Sequence, residues 1–445
     1  MVERKEYARR RLRIMEAMGE DCVLILPTAP VQRRNRDVEF GFRPDSDFYY
    51  LTGFDEPHAV AVLAPNREQG EYLLFCRESS PEIERWHGRC AGLDAAVQRF
   101  GADDAFPIGD LDDILPGIME GRSRVYYAMG TYPEFDHRVL GWLSVLRTRG
   151  LYASGQAEII SPEHIVHDMR LVKSAAELRV MRRAVEASAR AHVHAMQVCS
   201  PGMLEYQLEA EMLHEFTRAG ARHAAYPSIV AGGANGCIMH YTHNDCELND
   251  GDLVLIDAGA EFGYYASDVT RTFPVGGRFT TAQRQLYELV LASQRAAIDT
   301  VRPGNDFNSP HRAAVAVIAR GLVELGLIPG PADTALERDD YLRFYMHPTG
   351  HWLGLDVHDV GEYKLGGEWR VFEPGMVTTV EPGIYISADD ESVGREYRGI
   401  AIRIEDDILV TRGAPDVLTA DIPKDVKEVE ALCSPVERSQ LALEL

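Results

Sequence analysis

The 445 residues are 45% hydrophobic and 26% charged, the composition of a globular protein able to bury a large core and long enough for two domains. A formal net charge of −23 repels phosphate backbones and anionic lipid, which argues against nucleic-acid and membrane partners and suits a peptide ammonium or a metal cation. Seven scattered cysteines, none spaced C-x-x-C, point away from a disulfide framework or zinc knuckle and fit a reduced, cytoplasmic compartment.

The first stretch, MVERKEYARRRLRIMEAMGE, is too charged for a secretory signal and reads as an amphipathic helix. Cys22–Leu26, Ala59–Leu63, Tyr72–Cys76 and Val125–Ala128 read as buried strands, and Arg138–Arg149 as a helix. The apolar run Ala59–Ala64 is far too short to cross a bilayer. Alternating strands and helices predict a small α/β domain. Near Met169–Lys173 the pattern changes. Ser174-Ala175-Ala176-Glu177 is a capping box that opens a long helix running to Pro201-Gly202. The domain boundary is placed there, giving an N-terminal domain of residues 1–173 and a second domain of residues 174–445.

The second domain carries a weak internal repeat. A helix ends at Pro201-Gly202, another stops at Gly220, and strands bearing acids follow. About a hundred residues on, a helix from Thr281 ends at Pro303-Gly304, another runs to about Gly326, and strands with acids come again. Two copies of helix–helix–strands predict a pseudo-twofold domain with a site between its halves. Ser434–Leu445 reads as a loosely held tail.

Four acids sit on short, otherwise apolar strands: Asp257 after Leu253–Ile256, Asp268 within Tyr264–Phe273, Glu381 after Met376–Val380, and Glu405 within IAIRIEDDILV. A hairpin centred between Phe262 and Gly263 would place Asp257 directly opposite Asp268, with Cβ atoms about 4.5–5.5 Å apart. Singly, each acid reads as a turn or surface residue, as Glu373-Pro374-Gly375 does. Together, four converging buried carboxylates need compensation, and two divalent cations would supply it. An oxygen-rich set with one imidazole suits Mn2+. The imidazole comes from the segment holding His347, His351 and His358. Its H-x-x-x-H spacing is not that of a helical zinc protease, because Pro348 and Gly350 oppose a helix and no Glu follows His347. Ala231–Gly236 is not G-x-G-x-x-G, and neither a phosphate-binding loop nor G-x-S-x-G occurs.

With Asp257, Asp268, His351, Glu381 and Glu405 in this order, the sequence resembles the dinuclear metallopeptidases of the pita-bread fold, and among them the Xaa-Pro aminopeptidases. The resemblance covers most of the chain: NRDVEFGFRPDSDFYYLTGFDEP, HDMRLVKSAAELRVMRRA, IMHYTHND, DAGAEFGYYASDVTRTFP, HWLGLDVHDVG, VEPGIYI and YRGIAIRIEDDILVT. It implies a creatinase/prolidase-like α/β N-terminal domain, used for oligomerisation and the substrate groove, followed by an α+β pita-bread catalytic domain. It implies two divalent metals, usually manganese, held by those five residues with Asp268 and Glu405 as bridges, and hydrolysis of the bond before a proline at the second position by a hydroxide between the metals. Glu381 would be ligand and proton acceptor. His240 and His358 would bind substrate and stabilise the oxyanion, and His347 would be an accessory substrate histidine. Arg403, Tyr385 and Asp37 would form a supporting polar network. Trp86 would reach a neighbouring subunit's site, making a dimer or tetramer functional. The alternatives are a prolidase that cuts only Xaa-Pro dipeptides, and a non-catalytic or metal-free homologue, which would lose the ligand set present here.

Overall fold

The computed structural model describes residues 2–148 and 158–434. Residues 435–445, most of the expected tail, lie outside that range. The chain divides into two compact units, Met1–Arg170 and Leu171–Leu445; the sequence reading placed the division after Lys173.

The first unit is built on a six-stranded sheet. Its strand order is Asp104–Pro107, Tyr72–Cys76, Val60–Leu63, Cys22–Pro27, Arg124–Tyr126, Glu158–Ile160. Val60–Leu63 alone runs antiparallel to its neighbours, and the other pairings are parallel. Residues 22–26, 60–63 and 72–76 are buried throughout, as strands covered on both faces must be. Leu111 and Leu115 from one helix, and Val139, Trp142 and Leu146 from another, complete that core. The helix expected from Arg138 begins five residues earlier, at Pro133. A proline fits the first helical turn, where its missing N–H costs nothing.

In the second unit the capping box forms as read: the Ser174 side chain accepts from Glu177 N, and the Glu177 carboxylate accepts from Ser174 N. It opens the helix Ala175–Val198, which packs on Glu205–Arg218. The strands Ile229–Gly232, Leu253–Asp257 and Thr270–Pro274 follow as one antiparallel sheet. The second half repeats the plan. Thr281–Ile298 packs on Ser309–Glu324. Val377–Val380, Asp406–Leu409 and Asp416–Val417 form a sheet, with Gly383–Tyr385 paired to Ala401–Arg403. The unit is therefore α+β with two related halves.

Thr270, Arg271 and Thr272 stitch those halves together. Arg271 donates to Glu405 O at 2.5 Å and to Asp406 Oδ1 at 2.8 Å, both ends fully buried. Thr272 Oγ1 donates to Arg403 O at 2.9 Å, and Glu405 N to Thr270 O at 3.1 Å. The four acids singled out in the sequence lie along this seam.

Candidate active site

The hairpin after Asp257 is offset from the expected register. Asp257 pairs with Thr270, Glu261 with Ala266 and Phe262 with Tyr265. The turn is centred on Gly263 and Tyr264, at φ 56° and 68°, the paired left-handed conformation of a two-residue hairpin loop. Asp268 thus lies diagonal to Asp257 rather than opposite it. The shift is two residues, an even number, so both carboxylates keep the same face. Gly259 sits against the returning strand so closely that a Cβ would lie 1.8 Å from Ser267 O. That approach brings Asp268 inward.

His351 precedes the buried Trp352, and its backbone is clamped to the strand Val377–Val380. Its N–H donates to Thr379 Oγ1 at 3.0 Å, and its carbonyl accepts from Thr379 N and Thr378 Oγ1, both at 2.9 Å. Its ring bonds through Nδ1 to Trp352 O at 2.9 Å, which turns Nε2 toward Asp268 Oδ2 at 3.2 Å and Glu381 Oε1 at 3.6 Å. Glu381 ends the same strand, with its N–H on Thr349 O at 2.8 Å and Thr379 Oγ1 on its carboxylate at 3.3 Å. Glu405 falls at the break between Ala401–Arg403 and Asp406–Leu409, where the apolar run expected as one strand passes between two sheets. Its carboxylate accepts from Thr270 Oγ1 at 2.7 Å.

These groups line a cavity of about 590 Å³ together with His240, His347, His358 and Arg403. Arg403 spends its whole guanidinium on the site: Nε donates to Thr270 Oγ1 at 3.0 Å, one Nη to Tyr385 Oη at 2.9 Å, the other to Asp257 Oδ2 at 2.6 Å. Tyr385 stands behind the wall and bonds His347 Nε2 at 2.8 Å, while His347 Nδ1 bonds Pro348 O at 2.8 Å. Both ring nitrogens of His347 are therefore engaged within the protein. His240 and His358 are exposed at the cavity rim. Asp37 and Trp86 belong to the first unit and are exposed, Trp86 by 80%.

Tyr226 was not expected. Its hydroxyl meets Asp257 Oδ1 at 2.7 Å and also Asp268 Oδ1. A lone tyrosine before Pro227 carries no sequence signal of that role. A separate grouping of Glu205, Asp245 and Cys246 is structural: the Glu205 carboxylate accepts from Gly232 N, Asn235 Nδ2, Tyr241 Oη and Cys246 N, at 2.7 to 3.0 Å. It fixes the loop that carries His240.

Residues 179–412 match metallopeptidase family M24, and residues 7–126 match the aminopeptidase P N-terminal domain. The chain belongs to metallopeptidase family M24. It is 45% identical to the Xaa-Pro aminopeptidase of Escherichia coli over 97% of this chain and 98% of that one. To the enzyme of that name from Haemophilus influenzae it is 43% identical over 96% and 97%. Among solved structures, the Pseudomonas aeruginosa aminopeptidase superposes with a TM-score of 0.97 at 55% identity, covering 99% of this chain and 100% of that chain. The fold is the α/β N-terminal domain and pita-bread catalytic domain that the resemblance implied.

The donor set of this M24 metallopeptidase fits divalent metal. Asp268, His351 and Glu405 each offer an atom within 4.8 Å of the others, and Asp257 and Glu381 border the same cavity. Burial raises the carboxyls of Asp257 and Glu405, and their neighbouring acids add to it. Burial likewise pushes Glu381 up to about 7, with Asp268 adding and His351 and Arg403 opposing. His351 moves the other way from an ordinary buried imidazole. Burial would lower it, but Asp268 and Glu381 together outweigh burial and raise it to about 9. Protons thus stand in for cations among crowded acids, the condition a metal relieves. His358, exposed at the rim as a residue, is held below its ordinary value by partial desolvation of its ring and by the nearby His351 and His240, with Asp268 opposing. A neutral imidazole there keeps an N–H to donate.

Proposed function

We propose that this chain is an Xaa-Pro aminopeptidase, releasing the first residue of peptides that carry proline second. The observation that carries the proposal is the convergence of four carboxylates and His351 beneath the exposed His240 and His358, in a chain aligned nearly end to end with enzymes of that name. Asp257, Asp268, His351, Glu381 and Glu405 would hold two divalent cations, which when bound supply Lewis acidity and a water activated at neutral pH. The oxygen-rich set favours Mn2+; a relative from Escherichia coli is known in zinc-substituted form with product.

Glu381 accepts a proton from the attacking water and returns it to the proline nitrogen as the scissile C–N bond breaks. His240 and His358 donate to the carbonyl oxygen as it gains charge. Arg403 holds Asp257 and Tyr385 in place, and Tyr385 fixes the His347 wall of the cavity. Trp86 serves the site of a neighbouring subunit in a homo-oligomer, and the enzyme works in the cytoplasm.

A prolidase needs a cation for the carboxylate that directly follows proline. Among the described residues, Arg403 is the sole arginine or lysine lining the cavity, and its three nitrogens are already bonded. Such a cavity favours longer peptides. With Mn2+, an Xaa-Pro-Xaa tripeptide should release only its first residue, faster than the matching Xaa-Pro dipeptide is cut, and alanine in place of proline should sharply slow the reaction. A strict preference for dipeptides would assign the chain to the prolidases.

A further inference from the structure

The segment from Trp352 to Asp359 closes into a loop whose neck is one carbonyl. Trp352 O accepts from Asp359 N and bonds His351 Nδ1, both at 2.9 Å. The ring of His351 and the end of the loop that carries His358 are thus fixed at one point, and the two imidazoles stand edge to face, 4.3 Å between centroids. The Asp359 side chain turns inward to Lys173, with Oδ2 2.9 Å from Nζ and both side chains 1% exposed. Lys173 is anchored in turn: its N–H donates to Gly375 O at 2.8 Å, and its Nζ lies 3.4 Å from Leu171 O. Gly354 leaves room for the pair, since a Cβ there would lie 2.1 Å from Asp359 Oδ2 and 3.0 Å from Lys173 Cε. Neither Lys173 nor Asp359 lines the cavity.

A buried ion pair is often no more stabilising than apolar residues of the same shape, so stability alone does not account for this one. We propose that Lys173 and Asp359 are a positioning pair, which locks the loop neck so that His351 Nε2 faces the ligand carboxylates and His358 faces the substrate. The His358 half rests on the oxyanion role given above.

The test uses Asp359→Asn, Lys173→Met and the double variant in the full-length protein, with thermal unfolding, Mn2+ binding isotherms and steady-state kinetics. Each single variant removes one side of a buried ion pair and should lower Tm; the double variant removes both charges and should recover most of it. The loss in kcat/KM should persist in the double variant, at roughly 10–100-fold, and Mn2+ affinity should fall on the order of tenfold. In a His358→Ala background at saturating Mn2+, Asp359→Asn should add less than the loss it causes alone, because the share that runs through His358 is already gone while the share through His351 remains. If the double variant regains wild-type Tm, kcat/KM and Mn2+ affinity together, the pair is only structural and the proposal fails. Losses that multiply in the His358→Ala background would also overturn it. If the single variants do not fold, the double variant decides alone. If His358→Ala itself leaves kcat/KM unchanged, the oxyanion reading fails, while the Mn2+ isotherm still tests the pair.

Discussion

Tyr226 has one hydroxyl proton and two carboxylates within reach of it, Asp257 and Asp268. Burial, and then those two acids, raise its phenol well above the ordinary value, so the hydroxyl stays protonated and remains a donor. A hydrogen bond to a charged group contributes about 1.5–3 kcal/mol. Groups that orient ligands in this way typically change affinity or activity by roughly 10–100-fold. Tyr226→Phe should therefore keep the wild-type metal content and lose kcat/KM in that range, as metal analysis and steady-state kinetics would read out. Wild-type kcat/KM in that variant would leave the hydroxyl without a part in orienting the two acids. His347, which the histidine-rich segment made conspicuous, lines the cavity; burial, followed by the Arg403 charge, lowers it to about 4, so it is a neutral link between Pro348 O and Tyr385.

At the scale of elements, the hairpin shows what patterning conveys and what it leaves open. The acids on adjoining strands were legible, because an apolar run ending in an acid is conspicuous. The register was not, because any turn near Phe262–Tyr264 satisfies the pattern, and Tyr264 gives no sign of adopting a left-handed backbone. Two glycines test the observed register. Gly263 lies in the turn at φ 56° with only Val180 Cγ1 near a new Cβ, at 3.1 Å, so Gly263→Ala should cost about 1–2 kcal/mol from backbone strain. Gly259→Ala drives a methyl into backbone at 1.8 Å, which nothing flexible relieves. It should cost more than its partner and also weaken metal binding, since Asp268 hangs on that contact. Equal Tm losses in the two variants would contradict the register. Elsewhere, Tyr72–Cys76 and the Ser174 capping box were readable residue for residue, because continuous apolar runs and side-chain caps are local features. The run IAIRIEDDILV was not: its division between two sheets is set by Arg271 and Thr272 reaching across from the other half, a tertiary cause.

For the whole molecule, the repeat of helix pairs and strands foretold two halves with acids between them, and the seam is where those acids converge. What composition could not convey is how far the seam's own cations fall short. Asp257, Asp268, Glu381 and Glu405 meet Arg403 and His351, and Asp407, whose Oδ1 has no hydrogen-bond partner among the described residues, is raised well above the ordinary value by burial and by Asp268. A divalent ion binding only the folded chain stabilises it by mass action, about 2.7 kcal/mol at a hundredfold excess over Kd. To bind, it must displace protons. In the metal-free protein His351 holds its proton up to about 9, and the Glu381 carboxyl up to about 7. Both groups must be deprotonated to act as ligands, so affinity falls as pH drops from 9 through 7 and rises in the other direction. After exhaustive chelation, turnover should vanish and Tm should drop. Returning Mn2+ should restore both, and at a fixed Mn2+ concentration the rise in Tm should be larger at pH 8 than at pH 6. Asp268→Ala should abolish that rise at either pH. An equal rise at both pH values would show that these protons are not what the metal replaces, and turnover in a verified metal-free sample would remove the metal from the mechanism altogether.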